Sequence, residues 1–277
     1  MTLESREIAI VGGTTRAYIE DGSQDQPTLI MLHYWGGSRR TWGPVVDRLR
    51  GQCPIVTFDH RGWGDASALP GPYGLEQLAD DVERIVAGLG IQKFVLVGHS
   101  MGGKVAQLLA SRRPPGLAGV VLVAPAPPRP TVDEDTREQL NNVYTSEAAV
   151  QAAIDHVLTL GELAPDLRAQ VVADSLAGNP QARLAWPSEG LTEDLTEAAA
   201  RIDVPVLVLA GSDDRVDPPA TLADHLLPFI GTASLEVLPE TGHLSPLEVP
   251  HAVATAISGF IAGRPRRASD EVAARHD

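Results

Sequence analysis

The segment Phe94-Val95-Leu96-Val97-Gly98-His99-Ser100-Met101-Gly102-Gly103 constrains the fold more than any other stretch of the chain. Its apolar start, rich in Val and Leu, reads as a strand. Residues 102–112, closed by Pro114-Pro115, read as a helix. Between them lies only G-x-S-x-G. A strand that becomes a helix this abruptly leaves no space for side chains beside the corner, which explains the glycines at 98 and 102. The corner lifts Ser100 above the end of the strand and onto a helix N-terminus, where backbone N–H groups favour negative charge.

Strand-length apolar runs alternate with helical patterns along the rest of the chain. Glu7 to Val11 and Arg16 to Glu20 flank Gly12-Gly13 and read as an N-terminal antiparallel hairpin. Thr28 to Leu32, Ile55 to Phe58, Phe94 to Val97, Val120 to Val123, Val206 to Leu209 and Leu235 to Leu238 follow. Such continuous runs suit strands buried on both faces. Leu75, Leu78, Val82, Ile85, Val86 and Leu89 mark one face of a helix that Gly90 ends. A last helix is expected over Pro246 to Ile261. The fold class predicted is α/β, with a mostly parallel central sheet of about eight strands and helices on both faces.

The alternation breaks between Pro125–Pro130 and Pro205, where helical patterns occur without a convincing strand. This region reads as a helical cap over the sheet, the alternative being helices packed beside the core with no role in a site. The expected organisation is a core from residues 1–125 and 204–263, a cap at 126–203, and a disordered polar tail at 264–277 containing Arg264, Arg266 and Arg267.

Composition narrows the function. A chain of 277 residues with 43% hydrophobic content can bury one large core. A formal net charge of −14 argues against nucleic acid as a partner, because that affinity comes from clustered Lys and Arg. The first residues lack an apolar leader and no stretch is long enough to cross a bilayer, so a soluble cytoplasmic protein without a membrane partner is expected. The lone Cys53 reads as a small buried side chain. With no phosphate-cradling glycine loop and no metal-type His/Cys spacing, neither cofactor nor metal is expected. The oligomeric state is not encoded in any feature of the sequence.

Serine is a weak nucleophile unless a base, commonly a histidine oriented by a carboxylate, takes its proton. Here the chain resembles the α/β-hydrolase superfamily over residues 6–262. Gly-His-Ser-Met-Gly-Gly-Lys looks like the single-domain esterase, perhydrolase and carbon–carbon hydrolase branches, and its serine stands where the epoxide hydrolase and haloalkane dehalogenase branches place an aspartate. The resemblance implies Ser100 as nucleophile and the chain order serine, acid, histidine. His243, in Pro239-Glu240-Thr241-Gly242-His243-Leu244 between the last strand and the last helix, matches the family's base. After the strand beginning at Val206, Gly211-Ser212-Asp213-Asp214-Arg215-Val216-Asp217 matches the family pattern with Asp214 as the acid. Asp213 and Asp217 lie near enough to compete, and otherwise read as solvated loop carboxylates or turn formers. The alternative position after Val123 holds Ala124-Pro125-Ala126 and no carboxylate.

For an oxyanion, the resemblance implies two backbone N–H donors, at Met101 and, from the loop His33-Tyr34-Trp35-Gly36-Gly37, at Trp35. Tyr34 stands where the family has glycine, so a strained Tyr34 or an unusual local backbone is expected. Asp59-His60-Arg61-Gly62-Trp63-Gly64 resembles a family segment in which Asp59 and Arg61 tie loops behind the site. Lys104 reads as a helix-surface cation. Trp35, Met101, Val216 and Leu244, with Tyr34, would floor an apolar pocket roofed by Tyr144, Leu158 and Trp186, and no charged residue is expected in it. The small-molecule substrate implied is a small to medium, largely apolar carboxylic ester cleaved through an acyl-enzyme. A carbon–carbon hydrolase or a cofactor-free perhydrolase would use the same residues, and a ligand receptor or regulator would keep them without rapid turnover.

Overall fold

The structure, a computed structural model, describes residues 4–263. The tail expected to be disordered, 264–277, lies outside the described residues. Strand β1 (Glu4–Ile10) pairs antiparallel with β2 (Gly13–Glu20) across a turn in which Gly12 takes φ +83°. Strands β3 (Thr28–Leu32), β4 (Ile55–Phe58), β5 (Phe94–His99), β6 (Leu117–Val123), β7 (Val206–Gly211) and β8 (Ala233–Leu238) complete an eight-stranded sheet ordered β1-β2-β4-β3-β5-β6-β7-β8. The hairpin joins through an antiparallel β2–β4 contact, and all later neighbours are parallel.

Every residue of β5 is buried. The period of two sends Phe94 and Leu96 to one face and Val95 and Val97 to the other. On the first face β5 meets α2 (Leu75–Gly88) and α3 (Met101–Ser111); on the second, α1 (Gly43–Leu49) and α11 (Pro250–Ile261). Cys53 is buried on that second face, and burial pushes its thiol up to about 11. Double coverage explains why the strand sequences are continuously apolar.

The expected helix over Pro246–Ile261 is two helices, α10 (Ser245–Glu248) and α11. Pro250 has no N–H to continue the first and crowds the residue before it, and Val249 accordingly leaves the helical region at φ −131°, ψ 53°. Pro250 is instead the first residue of α11, where the missing donor costs nothing.

Between β6 and β7 the chain forms α4 (Glu134–Leu140), α5 (Glu147–Ala153), α6 (Pro165–Ala177), α7 (Pro180–Ala185) and α8 (Thr196–Ala199). Helices α5 and α7 run on into π-helical turns at Ile154–Leu158 and Trp186–Gly190. This segment contacts loops that leave the C-terminal ends of β3 and β4: Ser175 Oγ donates to Gly36 O at 2.9 Å, and Asn179 N to Gly62 O at 2.8 Å. A short helix α9 (Pro219–His225) follows β7. No helix among the described residues is long and apolar enough to cross a membrane.

Candidate active site

Ser100 occupies the corner between β5 and α3 with φ 52° and ψ −113°, a backbone conformation that side chains other than glycine rarely adopt. The surrounding backbone enforces it. Ser100 N donates to Val123 O at 3.1 Å, and Ser100 O accepts from Lys104 N at 3.1 Å and Ala126 N at 3.2 Å. A Cβ at Gly98 would lie 2.3 Å from Gly102 O, and one at Gly102 would lie 2.5 Å from Leu32 O. The two glycines of the motif are therefore demanded by close approach.

The side chains expected to act with Ser100 converge on it. His243 Nε2 lies 2.9 Å from Ser100 Oγ, and His243 Nδ1 lies 2.9 Å from Asp214 Oδ2. The other oxygen, Asp214 Oδ1, accepts from Val216 N at 2.8 Å and Asp217 N at 3.1 Å. All three side chains are buried. Burial alone would raise the Asp214 carboxyl, but His243 and the two N–H donors hold it below its ordinary value. Burial would lower the His243 imidazole, but the Asp214 charge wins and holds it above its ordinary value. Asp214 is thus the carboxylate in contact with the His243 imidazole, while Asp213 is exposed and bonded to Ser212.

Two histidines that sequence reasoning left without a role fix the neighbouring backbone. His99 Nε2 donates to His243 O at 2.9 Å, so the imidazole is held from behind as well as through its ring. Burial and the nearby His243 push the His99 ring down to about 3, which keeps it neutral and in that donating tautomer. His33 Nδ1 donates to Tyr34 O at 2.7 Å while His33 Nε2 accepts from His60 N at 2.9 Å, tying the loop after β3 to the loop after β4. Both histidines sit inside the motifs already noted, and only the bond partners reveal what they do.

The loop that carries Trp35 is gripped from the inserted helices. Tyr144 Oη donates to Trp35 O at 3.0 Å and Trp35 Nε1 donates to Arg183 O at 3.1 Å. Ser38 Oγ donates to Asp174 at 2.7 Å, and Arg40 pairs with the same carboxylate. The strain expected at Tyr34 is absent, because the left-handed residue of this loop is Gly36, at φ +88°. A Cβ at Gly36 would lie 2.3 Å from the Tyr144 ring. Behind the site, Asp59 accepts from Arg39 N and Asp65 N, and Arg61 binds Asp81 through two bonds of 2.9 Å plus the carbonyls of Val11 and Pro70. The loop-tying part expected of Asp59 and Arg61 is the one they have.

A cavity of roughly 300 Å³ opens over Ser100 and His243. Tyr34, Trp35, Val216, Tyr144, Leu158 and Trp186 line it as expected, but Met101 and Leu244 do not. Met101 is buried in the core at the start of α3, and Leu244, fully buried, donates its N–H to Leu158 O at 2.9 Å. Three further expectations fail. Lys104 is not a surface cation: it is 1% exposed and lines the cavity, because the inserted helices cover the side of α3 that a simple sheet fold would leave open. Asp217 is not a solvated loop carboxylate: it is 5% exposed, held by the turn that caps Asp214. With Arg215 at the rim, the cavity therefore carries charged residues.

Residues 27–250 match the family model described as alpha/beta hydrolase fold. The chain belongs to this family of hydrolases. 3-Oxoadipate enol-lactonase 2 of Acinetobacter baylyi (strain ATCC 33305 / BD413 / ADP1) is 30% identical over 266 residues, covering 94% of this chain and 96% of that protein. A relative named for carbamate hydrolysis, RutD of Caulobacter sp. (strain K31), is 28% identical over 250 residues, covering 87% of this chain and 92% of that one. Among solved structures, a thermophilic esterase from Thermogutta terrifontis superposes with a TM-score of 0.79 at 25% identity, covering 94% of this chain and 98% of that chain.

Proposed function

We propose that the protein is a serine hydrolase that cleaves a small to medium, largely apolar carboxylic ester through an acyl-enzyme. The observation that carries this reading is the buried hydrogen-bonded chain from Asp214 through His243 to Ser100, at the floor of a largely apolar cavity. Ser100 Oγ attacks the carbonyl carbon while His243 Nε2 takes its proton, and Asp214 stabilises the imidazolium that forms. The N–H groups of Met101 and Trp35 hold the oxyanion. His243 then protonates the departing alcohol and, in the second half, takes a proton from the water that releases the acid and restores Ser100. The helices between β6 and β7 act as a cap that supplies the roof of the acyl site through Tyr144, Leu158 and Trp186.

A cyclic ester fits the same steps, with the alcohol remaining attached to the acyl product, and the relatives named enol-lactonase favour including lactones among the substrates. The test is labelling with a fluorophosphonate followed by peptide mapping, together with hydrolysis of simple p-nitrophenyl esters and lactones by the wild type and Ser100→Ala. The expected result is a label on Ser100 and loss of turnover in the variant. A label elsewhere, or wild-type turnover by Ser100→Ala, overturns the reading.

A further inference from the structure

Two charged side chains lie deep in the cavity with nearly all of their surface buried, and neither is a reacting group of the ester chemistry. Lys104 extends from the first turn of α3 and Asp217 from the turn after Asp214; both line the cavity beside Ser100 and His243. An ammonium has three donors. One of them reaches Leu191 O at 3.3 Å. Among the described residues the Asp217 carboxyl has no hydrogen-bond partner, and no ion pair joins it to Lys104, although the two feel each other electrostatically. Buried polar groups are almost always paired, so a donor set and a carboxyl facing one cavity without closing on each other leave room for a polar guest.

The charges around them select the guest. A cation would meet Lys104, and an anion would meet Asp217 with Glu193 and Asp194 acting on Lys104 from behind. Burial pulls the ammonium down to about 8 and pushes the carboxyl up to about 7, so near neutrality Lys104 remains chiefly a hydrogen-bond donor while Asp217 gains and loses its proton readily. An uncharged group that accepts from Lys104 and donates to Asp217 satisfies both at once.

We propose that Lys104 and Asp217 form a polar subsite for an uncharged donor-and-acceptor group, such as a carboxamide, carried by the substrate away from its scissile ester. The inference rests on the hydrolase reading above and adds to it a specificity that the apolar lining does not provide.

The test compares p-nitrophenyl esters of adipic and suberic acid monoamide with partner esters in which an isopropyl group replaces the carboxamide. In the wild type, kcat/KM favours the amide of at least one chain length by about tenfold, the ratio expected when a buried polar pair is satisfied rather than left unpaired. Lys104→Met and Asp217→Ala bring that ratio close to one, whereas Asp217→Asn, whose amide oxygen still accepts a hydrogen bond, keeps it. A wild-type ratio near one at both lengths overturns the proposal, as does a ratio that Lys104→Met and Asp217→Ala leave unchanged. Faster turnover of the corresponding monoacid esters than of the amides also overturns it, because the subsite would then be an anion site. The wild-type ratio decides the matter even if a variant fails to fold. Failure of the underlying hydrolase reading looks different: the fluorophosphonate leaves Ser100 of the wild type unlabelled.

Discussion

The wall of the cavity that carries Ser100 and His243 and the wall supplied by the segment between β6 and β7 are held by different mixtures of contact. On the first, backbone binds backbone at the corner and where the loops cross, and the His99 side chain adds a bond to His243 O. Ser100 is fixed through Val123 and Ala126, and the loops that carry Asp214 and His243 cross where Asp213 N donates to Thr241 O at 2.9 Å. The crossing is so close that a Cβ at Gly211 would lie 2.4 Å from Thr241 O. On the second wall, a few backbone bonds such as Asn179 N to Gly62 O are joined by side chains that reach down to a loop: Tyr144 and Ser175 bond the carbonyls of Trp35 and Gly36, and α4 has no buried residue at all. Chemistry needs reacting atoms placed within a fraction of an ångström, which rigid backbone provides. Recognition tolerates looser support, so changes in the second wall are expected to cost less turnover than loss of a reacting group on the first.

The sharpest attempt to break this comparison is Ser100→Ala. It is expected to lower kcat/KM for a p-nitrophenyl ester by at least about a thousandfold. The thermal midpoint should stay close to wild type, because no packed atom of consequence is removed; a stable variant with residual turnover near wild type would place the chemistry elsewhere. Next comes Gly36→Ala, at a point where the walls touch through a glycine. Its β-carbon would strike the Tyr144 ring at a left-handed backbone position, and kcat should fall about a hundredfold as the loop moves, roughly the effect of a misplaced catalytic group. Steady-state kinetics and a melting curve test it, and an unchanged kcat would mean that the loop is not rigidly coupled to the inserted helices.

Tyr144→Phe removes only the hydrogen bond to Trp35 O, and a drop of about fivefold in kcat, with KM altered less, is expected from one lost bond. A change confined to KM would make Tyr144 a pocket residue alone. The smallest effect is electrostatic. If His243 is the base proposed, it must be neutral to act, and kcat/KM is expected to fall as pH drops through its pKa, which burial lowers but Asp214, with help from Asp217 and Glu248, raises above the ordinary histidine value. Asp217→Asn removes one of those charges and stabilises the imidazolium less, so the acid limb of the pH profile should move to lower pH. A limb that stays in place or moves upward would show that Asp217 does not act on His243.

Most of the first wall was legible in the chain, because the constraints there are local. G-x-S-x-G between a strand and a helix has few backbone solutions, and His243 and Asp214 follow the ends of strands whose apolar runs are unmistakable. The second wall was not. Lys104 and Asp217 carry the residue types of exposed positions, and nothing next to them in sequence signals that α4 to α8 will cover them. Leu244 failed in the opposite sense: its place beside His243 suggested a pocket residue, yet the short helix α10 turns it into the core. Pro250 was a readable signal, and its meaning as a break within the last helical stretch follows from proline chemistry alone.

The sequence by itself determined the alternation that forces a parallel sheet and the corner at Ser100, because each depends on residues within a few positions of one another; the pairing of Ser100 with Asp214 and His243 was expected from the family resemblance. The tertiary structure alone decided that His33 and His99 brace the site, that a loop after β3 is clamped from helices more than a hundred residues away in the chain, and that Lys104 and Asp217 are buried. Those outcomes come from contacts between segments remote in sequence, whose distances and solvent exposure no local pattern of residues encodes.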